Sequence, residues 1–160
     1  MPLQIIYSDI TKLNVDAIVN AANKELRMGS GVCGAIFLAA GVDKLKTACN
    51  ELSPIKTGEA VLTDGFDLPS KYIIHTAGPV YNDGNHGEED LLRDSYRNSL
   101  ICAAKNGCKS IAFPLISSGS YGYPKADALN VAKTTINDFI IEHEDMVVFL
   151  VLFDKEAHDE

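Results

Sequence analysis

Apolar positions along this chain follow two registers that take turns. Short runs at 3–7, 16–20, 60–63, 71–76, 110–115 and 147–153 are rich in aliphatic and β-branched residues and lie between Gly, Pro, Asn or Asp, the pattern of strands. Between them, apolar residues recur every three or four positions over 32–40, 43–52, 88–106 and about 124–143, which predicts helices. Gly41 separates the first two helices, Ser53 and Pro54 end the second, Gly107 closes the third, and Pro124 suits the first turn of the fourth. The run 147–153 is continuously apolar, as expected of a strand near the centre of a sheet covered on both faces. Strands alternating with helices predict an α/β sandwich in one domain covering 1–160. Residues 81–90, YNDGNHGEED, are polar and long enough for a mobile surface loop, with an acidic run suited to capping the helix that follows.

The punctuation of this pattern carries the chemistry. In VNAANKELRMGSGVCGAIFLAAG, residues 19–41, a buried strand ends near Asn20 and gives way to a second asparagine, Asn23, then to a glycine loop and a helix. Backbone N–H groups of such a loop, backed by the positive end of a helix, suit a pyrophosphate. Gly29, Gly31 and Gly34 have the spacing G-x-G-x-x-G, but eight residues separate them from the strand, too many for the tight turn of a Rossmann dinucleotide site. This context argues against an NAD-dependent dehydrogenase. The same glycines begin a P-loop pattern, but Ala35 and Ile36 stand where it needs Lys and Ser or Thr. A second small-residue loop, Ser117, Ser118, Gly119, Ser120, Tyr121 and Gly122, also follows a strand and precedes a helix. Two such loops can close on opposite sides of one pyrophosphate.

Composition narrows the partners. A formal net charge of −8 and a pI near 4.9 argue against sequence-independent binding to nucleic acid, which relies on Lys and Arg facing phosphates. An anionic ligand must then be held by local dipoles. The apolar run 146–153 is far shorter than the roughly 20 residues of a membrane helix, and MPLQIIYSDI lacks the features of a secretory signal. A cytoplasmic monomer is the expectation. Cys33, Cys49, Cys102 and Cys108 form no C-x-x-C pair and do not cluster with histidine at zinc spacing, so neither a metal nor another cofactor is expected. Cys49 and Cys102 fall on apolar helix positions and read as small buried thiols, and His75, inside an apolar strand, reads as a satisfied core histidine. Asn20 is expected to bond backbone beneath the loop.

Taken in order, SDITKLNVDAIVNAAN, GSGVCGAIFLAAG, KYIIHTAGPVY and SIAFPLISSGSYGYP closely resemble the macro domain family, in its bacterial branch near the MacroD-type ADP-ribosyl hydrolases. The resemblance runs from Leu3 to about Asp154. It implies a three-layer α/β/α sandwich with a mixed central sheet of about six strands, and ADP-ribose (ADPR) as ligand. By the same resemblance Asp9 accepts a hydrogen bond from the adenine amino group, with the Ile10 backbone beside it, and Phe153 packs on the adenine face. Gly31, Val32, Cys33 and Gly34, with the loop Ser117 to Gly122, enclose the diphosphate, and Tyr121 covers the distal ribose. Asn23 orients that ribose and its C1″ substituent, a task for which an amide that both donates and accepts is suited. Read without the family, Asp9 also fits an N-cap for a turn at 10–12, and Phe153 fits a core position.

The chain departs from the MacroD-type pattern at two places. The aspartate of GVDG is Cys33 here, and the histidine of AIH is Phe37. A neutral thiol does not replace a carboxylate as general base, although losing one such group typically costs about 10²–10⁴ in rate and leaves a measurable enzyme. Asn23 and Cys33 are the catalytic candidates. The resemblance implies removal of mono-ADP-ribose from acidic protein side chains, or of acetyl from O-acetyl-ADP-ribose, with a non-catalytic ADP-ribose reader as the alternative.

Overall fold

The computed structural model describes residues 3–152, which leaves Phe153 outside the described residues. In chain order these residues form β1 (Leu3–Tyr7), a 3-10 turn (Ile10–Lys12), β2 (Ala17–Ala22), α1 (Gly31–Ala40), α2 (Val42–Leu52), β3 (Ala60–Asp64), β4 (Tyr72–Ala77), α3 (Glu88–Lys105), β5 (Ser110–Pro114), α4 (Lys125–Ile141) and β6 (Val147–Leu152). The strands make one sheet of order β1-β6-β5-β2-β4-β3, in which only β3 runs antiparallel to its neighbour. The six strands are those the pattern predicted and the mixed sheet is the one the family resemblance implied, with β6 an interior strand one place from the edge.

Strand alternation explains the two helical layers. Ala17 and Val19 of β2, Ile111 and Phe113 of β5, and Val148 and Leu150 of β6 pack in one core with Leu92 and Tyr96 of α3 and Ala128 and Ala132 of α4. The residues alternating with them, Ile18, Ala112, Phe149 and Val151, face the opposite way into a second core with Ile36 and Phe37 of α1 and Leu45 and Cys49 of α2. Both faces of these strands are therefore dry, which is why they read as unbroken apolar runs. Each fully buried Ile, Leu or Phe contributes about 1.5–3 kcal/mol relative to exposure.

β2 runs two residues further than its sequence pattern suggests. Ala21 and Ala22 pair with Thr76 and Ala77 of β4, a long-range contact that local apolarity does not announce. Asn20 also differs from expectation, since its amide Nδ2 lies 3.0 Å from His75 Nδ1 and the bond is to a side chain rather than to backbone. With Nδ1 accepting, His75 donates from Nε2 to Thr63 Oγ1 at 3.0 Å, and Thr63 donates to the Asp64 carbonyl at 3.2 Å. His75 is thus the satisfied core histidine expected. Its burial favours the neutral ring and lowers its pKa to about 4.

Two other features position the functional end. The fully buried Tyr96 hydroxyl donates to the Pro114 carbonyl and accepts from the Ile116 N–H at 3.0 Å, fixing the exit of β5 against α3. The polar loop before α3 is gathered onto Glu88, whose carboxylate accepts from the backbone N–H groups of Asn82, Asp83, Gly84 and His86 at 2.7–3.2 Å. These bonds hold its pKa down to about 2. The acidic residue expected to cap the helix therefore also organises the loop behind it. All four cysteines are free thiols, and Cys102 is only half-buried, unlike Cys49.

Candidate active site

All five parallel strands, β1, β2, β4, β5 and β6, end on one edge of the sheet, and the residues at or just past those ends surround one cavity. Ser8 follows β1, Asn23 follows β2, Gly78 follows β4, Leu115 follows β5, and Leu152 ends β6. Open α/β sheets bind ligands in this position, outside the carboxyl ends of the strands. The cavity holds about 670 Å³. One wall is the β2–α1 loop with Gly29, Ser30, Gly31, Val32 and Cys33, and the opposite wall is Ser117, Ser118, Gly119, Ser120 and Tyr121. The two glycine loops singled out in the sequence thus face each other across one space.

Ile10 and Asn23 line it as well, whereas Asp9, Gly34 and Gly122 do not. Each of these three has a structural task. Asp9 Oδ1 accepts from the Thr11 N–H at 3.0 Å and the Thr11 hydroxyl at 2.6 Å, so it N-caps the 3-10 turn, and the Thr11 hydroxyl first of all lowers its pKa. Gly34 sits behind the first loop, where a Cβ would stand 2.5 Å from the Gly29 carbonyl oxygen. Gly122, at φ +78°, closes the second loop through its N–H to the Gly119 carbonyl at 3.0 Å.

Asn23 is tied in place by its own loop. Its Oδ1 accepts from the Arg27 N–H and its Nδ2 donates to the Arg27 carbonyl, both at 2.9 Å. One amide hydrogen and one oxygen lone pair remain for other partners. Cys33, in the first turn of α1, donates its thiol to the same Arg27 carbonyl at 3.6 Å. Asn23 and Cys33 therefore brace one turn, which Leu26 completes in the left-handed region at φ +55°.

Several lining residues escaped the sequence reading. Lys125, the half-buried first residue of α4, is the one residue with a charged side chain among those lining the cavity. In a chain of net charge −8 it supplies a local positive charge beside the N-terminus of its helix. Ser117, by contrast, is one of the residues singled out in the sequence; it is strained at φ +67°, and its buried hydroxyl has no hydrogen-bond partner. Strain and an unsatisfied donor at one residue are costly, by about 1–3 kcal/mol each, and are characteristic of functional sites.

A family model for the Macro domain matches residues 19–132, well over half of the chain. The chain belongs to the macro domain family. This macro domain is 49% identical over 156 residues to the macro domain-containing protein CT2219 of Chlorobaculum tepidum, covering 96% of this chain and 90% of that protein. It is 48% identical over 159 residues to the O-acetyl-ADP-ribose deacetylase of Salmonella typhimurium, covering 97% of this chain and 89% of that protein. Among solved structures, a variant of the Oceanobacillus iheyensis macrodomain with ADPR superimposes with a TM-score of 0.93 at 43% identity, covering 98% of this chain and 88% of that one. The fold expected of a macro domain is thereby confirmed.

Among the described residues no helix is long and apolar enough to cross a membrane. Asp83, His86 and Glu88 bring three possible metal-ligand atoms within 4.8 Å of one another. The Glu88 oxygens already accept four backbone N–H bonds, so this cluster is accounted for as a loop anchor.

Proposed function

We propose that this chain binds ADP-ribose in the cavity at the carboxyl edge of the sheet and hydrolyses the bond at its distal ribose, releasing mono-ADP-ribose from acidic protein side chains or acetyl from O-acetyl-ADP-ribose. The observation that carries this reading is the facing of two helix-opening glycine loops across one cavity, with Asn23 at its edge. The N–H groups in the first turn of α1 lack intrahelical acceptors and suit a diphosphate, and Lys125 adds its charge from the other wall. Tyr121 covers the distal ribose. Adenine takes the end near Ile10, where Asp9 Oδ2 stands outside the cap made by Oδ1. The deacetylase name of a relative 48% identical over nearly the whole chain supports the reaction class.

In the protein-linked case, water oxygen bonds to C1″ as the glycosyl ester bond breaks, and the side-chain carboxylate leaves with the bonding pair. The water proton passes to the substrate phosphate or to solvent, because Cys33 offers no carboxylate to receive it. Asn23, with one donor and one acceptor free, holds the ribose hydroxyls and the water in line. We read the chain as one domain, 1–160, acting as a monomer in the cytoplasm. The second reading, an ADP-ribose reader, is favoured by the thiol at the position of the usual aspartate.

Release of ADP-ribose from a protein modified on glutamate tests both. Release that Asn23→Ala removes supports the hydrolase, whereas binding of free ADP-ribose with no release makes this chain a reader.

A further inference from the structure

A second cavity of about 300 Å³ adjoins the first, and Gly78 and Tyr121 line both. Its remaining walls mix polar groups from Lys24, Thr57, Asn82, His86 and Glu88 with the apolar flanks of Pro79, Val80 and Leu91. The junction is bare backbone on one side. A Cβ on Gly78 would stand 2.3 Å from Ser117 Oγ and 2.5 Å from Ile116 Cγ2, so any side chain here would force those of Ser117 and Ile116 to move. The other side of the junction is fixed too, since the Tyr121 carbonyl accepts from the Tyr81 N–H at 2.9 Å and Tyr81 packs edge-on against Tyr123.

The far wall is equally built. The four N–H bonds to Glu88 hold residues 82–86 in one shape, and they occupy the carboxylate that would otherwise dominate the local charge. His86 Nδ1 lies 2.8 Å from Asp83 Oδ1, whereas Lys24 has no carboxylate within ion-pairing distance among the described residues. The cavity thus offers one uncommitted cation, several groups that bond amides, and an apolar flank.

We propose that this second cavity receives the polypeptide flanking the ADP-ribosylated side chain, with the modified residue passing from the distal ribose between Gly78 and Tyr121. The inference rests on the reading that the main cavity takes ADP-ribose with its distal ribose under Tyr121. Size favours a peptide over acetyl: three heavy atoms occupy about 90 Å³ at roughly 30 Å³ per water-sized group, and the cavity holds several times that. Peptide carbonyls and N–H groups match what Lys24, Thr57 and Asn82 present.

The test compares calorimetric affinity for free ADP-ribose with that for a peptide carrying ADP-ribose on glutamine, whose amide resists hydrolysis. The wild-type chain is expected to bind the conjugate about tenfold more tightly. Lys24→Ala should lose part of that increment and Asn82→Trp, which fills the space, nearly all of it, each with affinity for free ADP-ribose unchanged. Equal affinity for conjugate and free ligand in the wild type, or an increment that both variants keep, overturns the second cavity's role and leaves the main reading standing. Failure of the wild type to bind free ADP-ribose at all overturns both.

Discussion

Asn20 and Asn23 stand three residues apart in the same short motif, VNAAN, and do opposite work. Asn20 is still inside β2, buried between two helical layers, and its amide meets His75 from the neighbouring strand. Asn23 is one residue past the end of β2, half-buried at the cavity edge, with its amide locked to the Arg27 backbone and bonding capacity to spare. What separates them is where the strand reaches the cavity: Asn20 lies below it, its amide nitrogen held by His75 and its buried oxygen without a partner, whereas Ala21, Ala22 and Asn23 line the cavity, and of these Asn23 has a side chain able to bond a ligand. Substitution should split the two. Asn23→Ala is expected to lower the rate of ADP-ribose release about 10²–10³-fold, as for loss of one oriented donor, with the unfolding midpoint nearly unchanged. Asn20→Ala should instead cost about 1–3 kcal/mol of stability by stranding the His75 ring nitrogen, with affinity for ADP-ribose retained by the folded protein. Denaturant melts and turnover of both variants side by side would break the comparison if the two effects failed to separate.

The buried side of the pair also has a pH signature. His75 titrates near 4 in the folded chain and near its ordinary 6.5 when unfolded. Below 6.5 the unfolded chain takes up a proton that the folded chain refuses, so stability is complete above that pH and falls as the pH drops toward 4. The full loss is about 3 kcal/mol, of which about 2 kcal/mol falls between pH 6.5 and 5, above the ordinary range of Asp and Glu. Urea melts across that window should show this slope in the wild type and lack it in His75→Gln, whatever that variant's stability at neutral pH. An identical slope in both would remove His75 as its source.

How much of this was legible follows from the same distinction. The strands and helices declared themselves through periodicity, and the two glycine loops through their place after strands, so the walls of the cavity could be named in advance. Strand order could not. That Ser8 and Gly78 join the site follows from β1 and β4 ending on the same sheet edge, and the Asn20 bond to His75 spans 55 residues. Lys125 carried no local signal either, since one lysine after a proline at a helix start is ordinary until the fold turns it toward a cavity without another charged side chain. Its contribution is testable. Lys125→Gln should weaken ADP-ribose binding about fivefold to tenfold at low salt and less at high salt, as expected of a half-exposed cation facing a diphosphate. Calorimetry at two ionic strengths checks this, and equal affinity of variant and wild type at low salt would return the diphosphate to the helix N-termini alone.

The smallest effect is expected where the chemistry invites the boldest guess. Cys33, which the sequence resemblance sets against the aspartate of MacroD-type relatives, lies at the start of a helix and within the cavity wall. Its thiol, however, donates to the Arg27 carbonyl at 3.6 Å, the same oxygen that Asn23 holds, so the geometry gives it a bracing task beside Asn23 at the cavity edge. A nucleophile would need its sulfur free, and here the sulfur is engaged in that bond. Cys33→Ala should therefore lose about 1 kcal/mol of stability and keep turnover within about threefold, with Cys33→Ser behaving alike because its hydroxyl can donate to the same carbonyl. If both variants lost turnover while still binding ADP-ribose, the thiol would belong to the reaction, and the division between bracing and ligand-facing residues at the end of β2 would have to be redrawn.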